Sequence, residues 1–194
     1  MTPAEGTGRE SPSPCQVAPS PITEVGIPVV RVEGLNKSYG QTRAVDGIDF
    51  TIETGEVVAI LGPNGAGKTT TVEMLEGFRR PDSGRIEVLG HDPSDRNRDW
   101  LDRIGVVLQE GGIEDELTAA ESIAAQRRPY RPPMSVDEAI DLVDLGVERD
   151  ERIKRLSGGQ RRRLDLAIGM VGDPESLFLD EPTTGFDPEA RRRS

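Results

Sequence analysis

After the apolar run Val57–Leu61 the chain reads Gly62-Pro63-Asn64-Gly65-Ala66-Gly67-Lys68-Thr69-Thr70. This fits G-x-x-x-x-G-K-[ST] at every position, between a strand-like run and a helix-like one. Glycines let successive N–H groups turn inward around the β- and γ-phosphates of a nucleotide, where a Cβ would obstruct the turn. A helix beginning near Lys68 adds the positive end of its dipole. Lys68 then bridges phosphate oxygens, and the Thr69 hydroxyl ligates Mg²⁺. Such a loop also needs an acid at the end of a neighbouring buried strand, and Leu177-Phe178-Leu179-Asp180 supplies one, followed at once by Glu181. Asp180 would face the metal through water, and Glu181 would orient and deprotonate an attacking water as general base.

These residues need strands and helices to carry them. Val29–Val32, Ile48–Ile52, Val57–Leu61 and Arg85–Leu89 read as strands, the first three feeding a mixed sheet. Ile104–Leu108 and Leu177–Asp180 are further short β-rich runs, the latter apolar enough to be buried on both faces. Helical patterns cover Thr69–Gly77, Thr118–Arg128, Ser135–Leu145 and Ser157–Val171. In the last, Leu164, Ala167, Ile168 and Val171 recur at helical spacing and predict one buried stripe. Before Val29, residues 1–28 hold 6 of the 15 prolines among Ser, Thr and Gly, so this tail is expected to be disordered.

The chain has 194 residues, with 24 Lys and Arg against 35 Asp and Glu, a net charge of −11. That is room for one ordinary domain. The acidity argues against a dedicated nucleic-acid binder, which needs a basic face. No apolar run approaches the length of a transmembrane helix. A single cysteine, Cys15, rules out an internal disulfide framework. The charge is unevenly placed. From Glu110 to Glu151 twelve acidic residues face four basic ones, whereas Arg152 to Arg163 holds six basic residues and no acid. The acidic block reads as part of a helical subdomain, about 110–163, and the basic strip abuts the Gly-rich turn Ser157-Gly158-Gly159.

Further segments narrow the reading. Leu156-Ser157-Gly158-Gly159-Gln160 resembles the signature motif of ATP-binding-cassette (ABC) ATPases. Lys37-Ser38-Tyr39-Gly40 resembles that family's adenine-stacking loop, and Gln109 falls where the family keeps its Q-loop glutamine. Thr184-Gly185-Phe186-Asp187 is similar to the D-loop, with Phe186 where leucine is commoner. The resemblance spans residues 29–194. It implies an α/β P-loop NTPase domain, with a mixed β-sheet core and a helical subdomain, that binds ATP and Mg²⁺. Tyr39 would stack on the base, residues 62–70 would cradle the phosphates, and Lys68, Gln109 and Glu181 would act in hydrolysis. Thr69, Gln109 and Asp180 would serve the metal. Such domains dimerise head to tail, so Ser157, Gly158, Gly159 and Gln160, with the D-loop Asp187, would serve the partner subunit's nucleotide.

Lys68 and Ser157 are too close in sequence for a coiled-coil insertion, and no heptad run exists. The chain therefore looks like the ATP-binding subunit of a transporter. Glu76-Gly77-Phe78-Arg79-Arg80-Pro81-Asp82-Ser83-Gly84 and residues 181–192 are most similar to bacterial drug-exporter subunits, which work with a separate membrane permease at the inner face of the membrane. Two alternatives stay open: a soluble ABC ATPase without a permease, and a nucleotide-binding module without turnover. The second arises because the family's switch histidine follows the D-loop, whereas the one histidine here is His91. Asp187-Pro188-Glu189 is a helix start that leaves only two turns before Ser194, so the domain is expected to continue past this chain.

Overall fold

The computed structural model describes residues 16–18, 28–107, 114–127 and 133–179. The chain divides into two compact units, Met1–Asp95 and Arg96–Ser194.

The first unit is built on a long hairpin. Strands β2 (Pro28–Tyr39) and β3 (Thr42–Glu53) pair antiparallel, with Tyr39 opposite Thr42 across the turn at Gly40 and Gln41. Gly40 has φ +59°, the left-handed geometry that such a tight turn demands. On the other edge of β2 lies β5 (Ser83–Val88), also antiparallel, giving the order β3-β2-β5. Val30, Val32, Leu35, Val45, Ile86 and Val88 are buried, and so are Thr71, Met74 and Leu75 of helix α1 (Lys68–Leu75), which packs on β3 and β5.

Strand β4 (Ala59–Leu61) differs from expectation. The run Val57–Leu61 was expected in one sheet with the first two strands. Instead β4 pairs antiparallel with β1 (Gln16–Ala18), a segment expected to be disordered. A local turn accounts for the separation. Glu56 N–H donates to the Glu53 carbonyl, and Glu53 N–H to the Glu56 carboxylate, which swings the chain off β3 before β4 begins. An extended run with open backbone groups is a template for any other extended run, and β1 uses it.

The second unit contains the parallel pairing. Strands β6 (Ile104–Val107) and β7 (Ser176–Leu179) run side by side in the register Ile104 to Ser176 and Val107 to Leu179. Ahead of them the short helix α2 (Arg98–Leu101) is capped by Asn97 and buries Trp100 completely. Helices α3 (Ala119–Gln126), α4 (Val136–Leu142) and α5 (Gly158–Met170) enclose one apolar cluster, which includes Ile123, Ile140, Leu145, Ile153, Leu164 and Val171. The expected α5 stripe is present: Leu164, Ala167 and Val171 are buried and Ile168 packs against them. The helical core thus reaches beyond residue 163. No helix among the described residues is long and apolar enough to cross a membrane.

Candidate functional site

The loop from β4 to α1 has the shape its sequence requires. Gly65 and Gly67 both take φ +83°, a region that L side chains rarely adopt. Gly67 is the residue before the helix, and a Cβ there would overlap the Ala44 carbonyl oxygen of β3. The chain needs glycine at this point on two counts. Ala66 N–H donates to the Pro63 carbonyl at 3.2 Å, folding the loop back on itself. Lys68 Nζ donates to the carbonyls of Gly62 (2.9 Å) and Pro63 (3.0 Å), which holds the ammonium over the loop mouth. Thr71, fully buried, anchors the helix start by giving both its N–H and its hydroxyl hydrogen to the Gly67 carbonyl. Asn64, Gly65 and Thr69 are exposed, and Thr70 is half-buried.

The first turn of α1 has no side-chain cap and no acidic residue. The first N–H groups of a helix have no intrahelical acceptor. Here Thr71 N–H makes the first helical bond, to Gly67, so the N–H groups of Lys68 and Thr69 precede the ladder. Backbone donors, a helix dipole and a lysine therefore converge on one loop, which is an anion site suited to a polyphosphate.

Tyr39 ends β2 beside this unit's other charged groups and is 43% exposed, so its ring is available for stacking. Arg79 Cζ lies 5.5 Å and Lys37 Nζ 5.9 Å from the ring centroid. Asp82 accepts from Lys37 Nζ and from Ser38 N–H, both at 2.7 Å. These two donors, the lysine foremost, hold the Asp82 carboxyl below the usual carboxylate range. The Glu73 carboxylate binds the Arg79 guanidinium and raises its pKa above the ordinary value, chiefly by hydrogen bonding. Sequence reasoning assigned no site role to Ala44, Glu73, Arg79 or Asp82. The motif fixes the need for glycine but not the strand carbonyl that enforces it. The doublet Arg79-Arg80 was the available signal for the second group.

The signature-like segment opens α5. Ser157 is its N-cap: Ser157 Oγ accepts from Gln160 N–H (3.3 Å), and the Gln160 side-chain oxygen accepts from Ser157 N–H (2.8 Å). Gln160 Nε2 donates to Glu148 at 2.7 Å, so both ends of this amide are used inside the unit. Gly158 and Gly159 are exposed, and an added Cβ at either would meet nothing within 4 Å. Neither glycine has a positive φ. Nothing among the described residues of the unit requires glycine at these two positions.

In the head-to-tail arrangement that the resemblance implies, the basic strip would lie near phosphate. Within this chain each of its six cations has a carboxylate of its own unit within ion-pair distance. Arg152 and Lys154 share Glu116 (2.9 and 2.8 Å), Arg155 pairs with Glu151 (3.0 Å), and Arg161 with Asp115 (2.7 Å). Arg162 lies 3.9 Å from Asp165 and Arg163 3.6 Å from Asp144. Lys154, then Arg152, hold Glu116 below the usual carboxylate range. Burial pushes Asp165 up, and Arg162 opposes this. The acidic block and the basic strip are two halves of one ionic surface.

Gln109, Asp180, Glu181 and Asp187 lie outside the described residues. The strands that lead to the first three are described. Val107 pairs with Leu179, and Gln109 and Asp180 follow these two residues by two positions and one in sequence. Carboxyl ends of parallel strands are where open α/β sheets place their ligands. Among the described residues no group of three or more His, Cys, Asp or Glu side chains is placed to hold a metal. Thr69 is the expected metal ligand that is described, and its exposed position in the first turn of α1 fits that part.

A glycine-forced loop between a strand and a helix, with a lysine over its mouth, defines the P-loop class of nucleoside-triphosphate-binding proteins. The family model described as ABC transporter matches residues 45–184, and the chain belongs to that family. It is 44% identical over 169 residues to the daunorubicin/doxorubicin resistance ATP-binding protein DrrA of Streptomyces peucetius, covering 84% of this chain and 51% of that protein. It is 40% identical over 195 residues to the Nod factor export ATP-binding protein I of Rhizobium meliloti, covering 98% and 57%. The chain thus spans about half the length of the curated relatives it matches. A solved ATP-binding cassette of an ABC transporter shares the fold at TM-score 0.71 and 24% identity, covering 86% of this chain and 74% of that one. A dimeric ATP-binding cassette bound to ADP and Pi matches at TM-score 0.67 and 25% identity, covering 84% and 78%. The expected α/β P-loop cassette fold and the family resemblance both hold.

Proposed function

We propose that this chain binds MgATP at residues 62–70 and hydrolyses it as a head-to-tail dimer, driving export through a separate membrane permease at the inner face of the membrane. The observation that carries the reading is the α1 start: Gly67 forced by Ala44, no side-chain cap, and Lys68 held across the loop carbonyls. An incoming triphosphate would take over Lys68 from these neutral carbonyls, because charge-assisted hydrogen bonds are roughly twice as strong. Mg²⁺, when bound, neutralises charge developing on the transferred phosphoryl group. On this reading Thr69 offers its hydroxyl to the metal, with Gln109 and Asp180 completing the protein's share. Glu181 holds the attacking water and accepts its proton, and Tyr39 stacks on the base.

The dimer reading draws on Gly158 and Gly159. Glycine in a helix is unfavourable by about 1 kcal/mol relative to alanine. Two successive glycines with no internal role suit a surface that another subunit's phosphates approach closely. Ser157, Gly158 and Gly159 would make that contact, with Gln160 bracing Ser157 and Asp187 contributing from the D-loop. DrrA is named for drug resistance and the Rhizobium meliloti relative for export, which supports an exporter motor. Cargo selection would belong to the permease, since fold does not set substrate.

Steady-state turnover and gel filtration with ATP test the reading together. Lys68→Ala is expected to weaken ATP binding about 10- to 100-fold through loss of a charge-assisted contact. Glu181→Gln is expected to lower turnover by at least about 100-fold and to retain an ATP-bound dimer. A Glu181→Gln protein that stays monomeric with saturating ATP would sink the head-to-tail arrangement. Undiminished turnover in that variant would remove Glu181 as the base.

A further inference from the structure

The side chains around Tyr39 form a chain of contacts that leads back to the phosphate loop. Glu73 lies on α1, five residues after Lys68. Its backbone carbonyl accepts from the N–H groups of Phe78 (2.8 Å) and Arg79 (3.1 Å), so the main chain after the helix is folded back onto it. Its carboxylate then takes the Arg79 guanidinium at two points, Nε to Oε2 and Nη2 to Oε1 (3.4 Å). A fork gripped at two points has a fixed plane. That guanidinium lies 5.5 Å from the Tyr39 centroid, inside the roughly 6 Å range of a cation–π contact. Asp82 holds the backbone just before the ring through Ser38 N–H, and Asp82 N–H donates to the Asn36 carbonyl (2.9 Å).

We infer that Arg79, oriented by Glu73, is a positioning residue that presets the Tyr39 ring for the base of the nucleotide. A half-exposed aromatic beside a hairpin turn would otherwise sample several rotamers. Fixing one before the ligand arrives moves that ordering cost from binding to folding. The same helix carries Lys68 at its first position and Glu73 in its second turn. One rigid rod therefore sets the spacing between the phosphate contacts and the base platform. On this reading residues 73–82 act through Tyr39, so their effect is confined to ligands that carry a base. This inference rests on the reading that Tyr39 stacks on the base.

Calorimetric titration of the full chain with MgATP and, separately, with inorganic tripolyphosphate separates the two claims. Tripolyphosphate fills the cradle but has no base. Arg79→Ala is expected to weaken ATP binding about three- to tenfold while leaving tripolyphosphate affinity within about twofold. Glu73→Gln should move ATP affinity in the same direction by less, and Arg79→Lys should restore only part of it, because lysine keeps the charge but not the two-point grip. The Arg79 side chain is 43% exposed, so its truncation leaves the core intact, and an unchanged melting temperature checks this. Unchanged or tighter ATP binding in Arg79→Ala overturns the inference, the tighter result meaning that the guanidinium covers the face the base needs. Equal weakening of both ligands also overturns it, as damage to the cradle. If Tyr39→Ala weakens ATP and Arg79→Ala does not, the inference fails alone. If Tyr39→Ala has no effect, the stacking reading fails and takes the inference with it.

Discussion

Two helix starts do opposite things in this molecule. α1 begins at Gly67 with no side-chain cap and no acid, whereas α5 begins at Ser157 with a complete capping box closed by Gln160. α3 and α4 are also boxed, by Thr118 with Glu121 and by Ser135 with Glu138. Among the described helices of eight or more residues, only α1 leaves its first turn unserved by side chains. Capping is inexpensive to encode and contributes about 1 kcal/mol. Its omission at α1 is therefore informative, because the chain applies it four times elsewhere among the described residues. An acid or hydroxyl cap at α1 would compete with phosphate for the N–H groups. At α5 the box takes the N–H of Gln160 and of Ser157 itself, and the N–H groups of Gly158 and Gly159 stay at an open surface. The first start is shaped to enclose an anion, and the second is a finished helix offering a small, bare face.

Substitutions can break this contrast from either side. The largest effect is expected at Gly67→Ala, where the new methyl group meets the Ala44 carbonyl and the left-handed geometry strains any L side chain. We expect a loss of at least about 2 kcal/mol of stability together with loss of nucleotide binding, read by thermal melting and ATP titration. Normal ATP affinity in this variant would show that the loop tolerates reshaping. Gly159→Ala should separate stability from function. Its open surroundings and helical backbone favour alanine, so melting temperature should hold or rise, by up to about 1 kcal/mol equivalent. Turnover should fall about tenfold or more if a partner's phosphates come close to this position. Unchanged turnover would mean that the bare face is not used.

Smaller effects test the finished start. Ser157→Ala removes the cap and should destabilise the second unit by about 1 kcal/mol, seen as earlier loss of helical signal on heating. The smallest expected effect is ionic. Glu116 and Glu138 have lowered pKa values, from Lys154 and from Ser135 respectively, so their contribution is present above the ordinary carboxylate pKa and fades as pH falls through the lowered one. Asp165, raised by burial, runs the other way: its contribution is full below its ordinary pKa and is lost as pH rises. Melting between pH 6 and pH 3 (about the carboxylate range) should show a net loss for the second unit. A second unit that gains stability on acidification would contradict the pairing of the basic strip.

What could be read from sequence was local. The phosphate loop, the α5 stripe and the helix starts at Thr118, Ser135 and Ser157 each depend on residues within a few positions of one another. The longer reach of β2 was missed because Glu33-Gly34-Leu35-Asn36-Lys37 lacks apolar alternation, although the strand runs on to Tyr39. Its register shifts between Val32 and Leu35, which breaks the period a sequence reading relies on. Helix α2 is too short to show a pattern, and its buried Trp100 carries no spacing signal. The pairing of the basic strip was hidden for a different reason: Glu116 lies 36 and 38 residues from Arg152 and Lys154, so only the folded unit reveals that their charges are matched within the chain. The clamp on Tyr39 joins residues 39, 73, 79 and 82 and was hidden by the same non-locality.

The distribution of capping boxes also orders the way the chain acquires structure. Each described α-helix of the second unit carries its own start signal, so it can nucleate from information within its first turn. α1 has no such signal, and its Gly67 is fitted against the Ala44 carbonyl of a strand more than twenty residues earlier. That fit exists only once the β2–β3 hairpin is in place, at the entropic cost of closing the intervening loop. During folding the element that grips the nucleotide is expected to be among the last to settle, and a triphosphate present at that moment would speed its ordering.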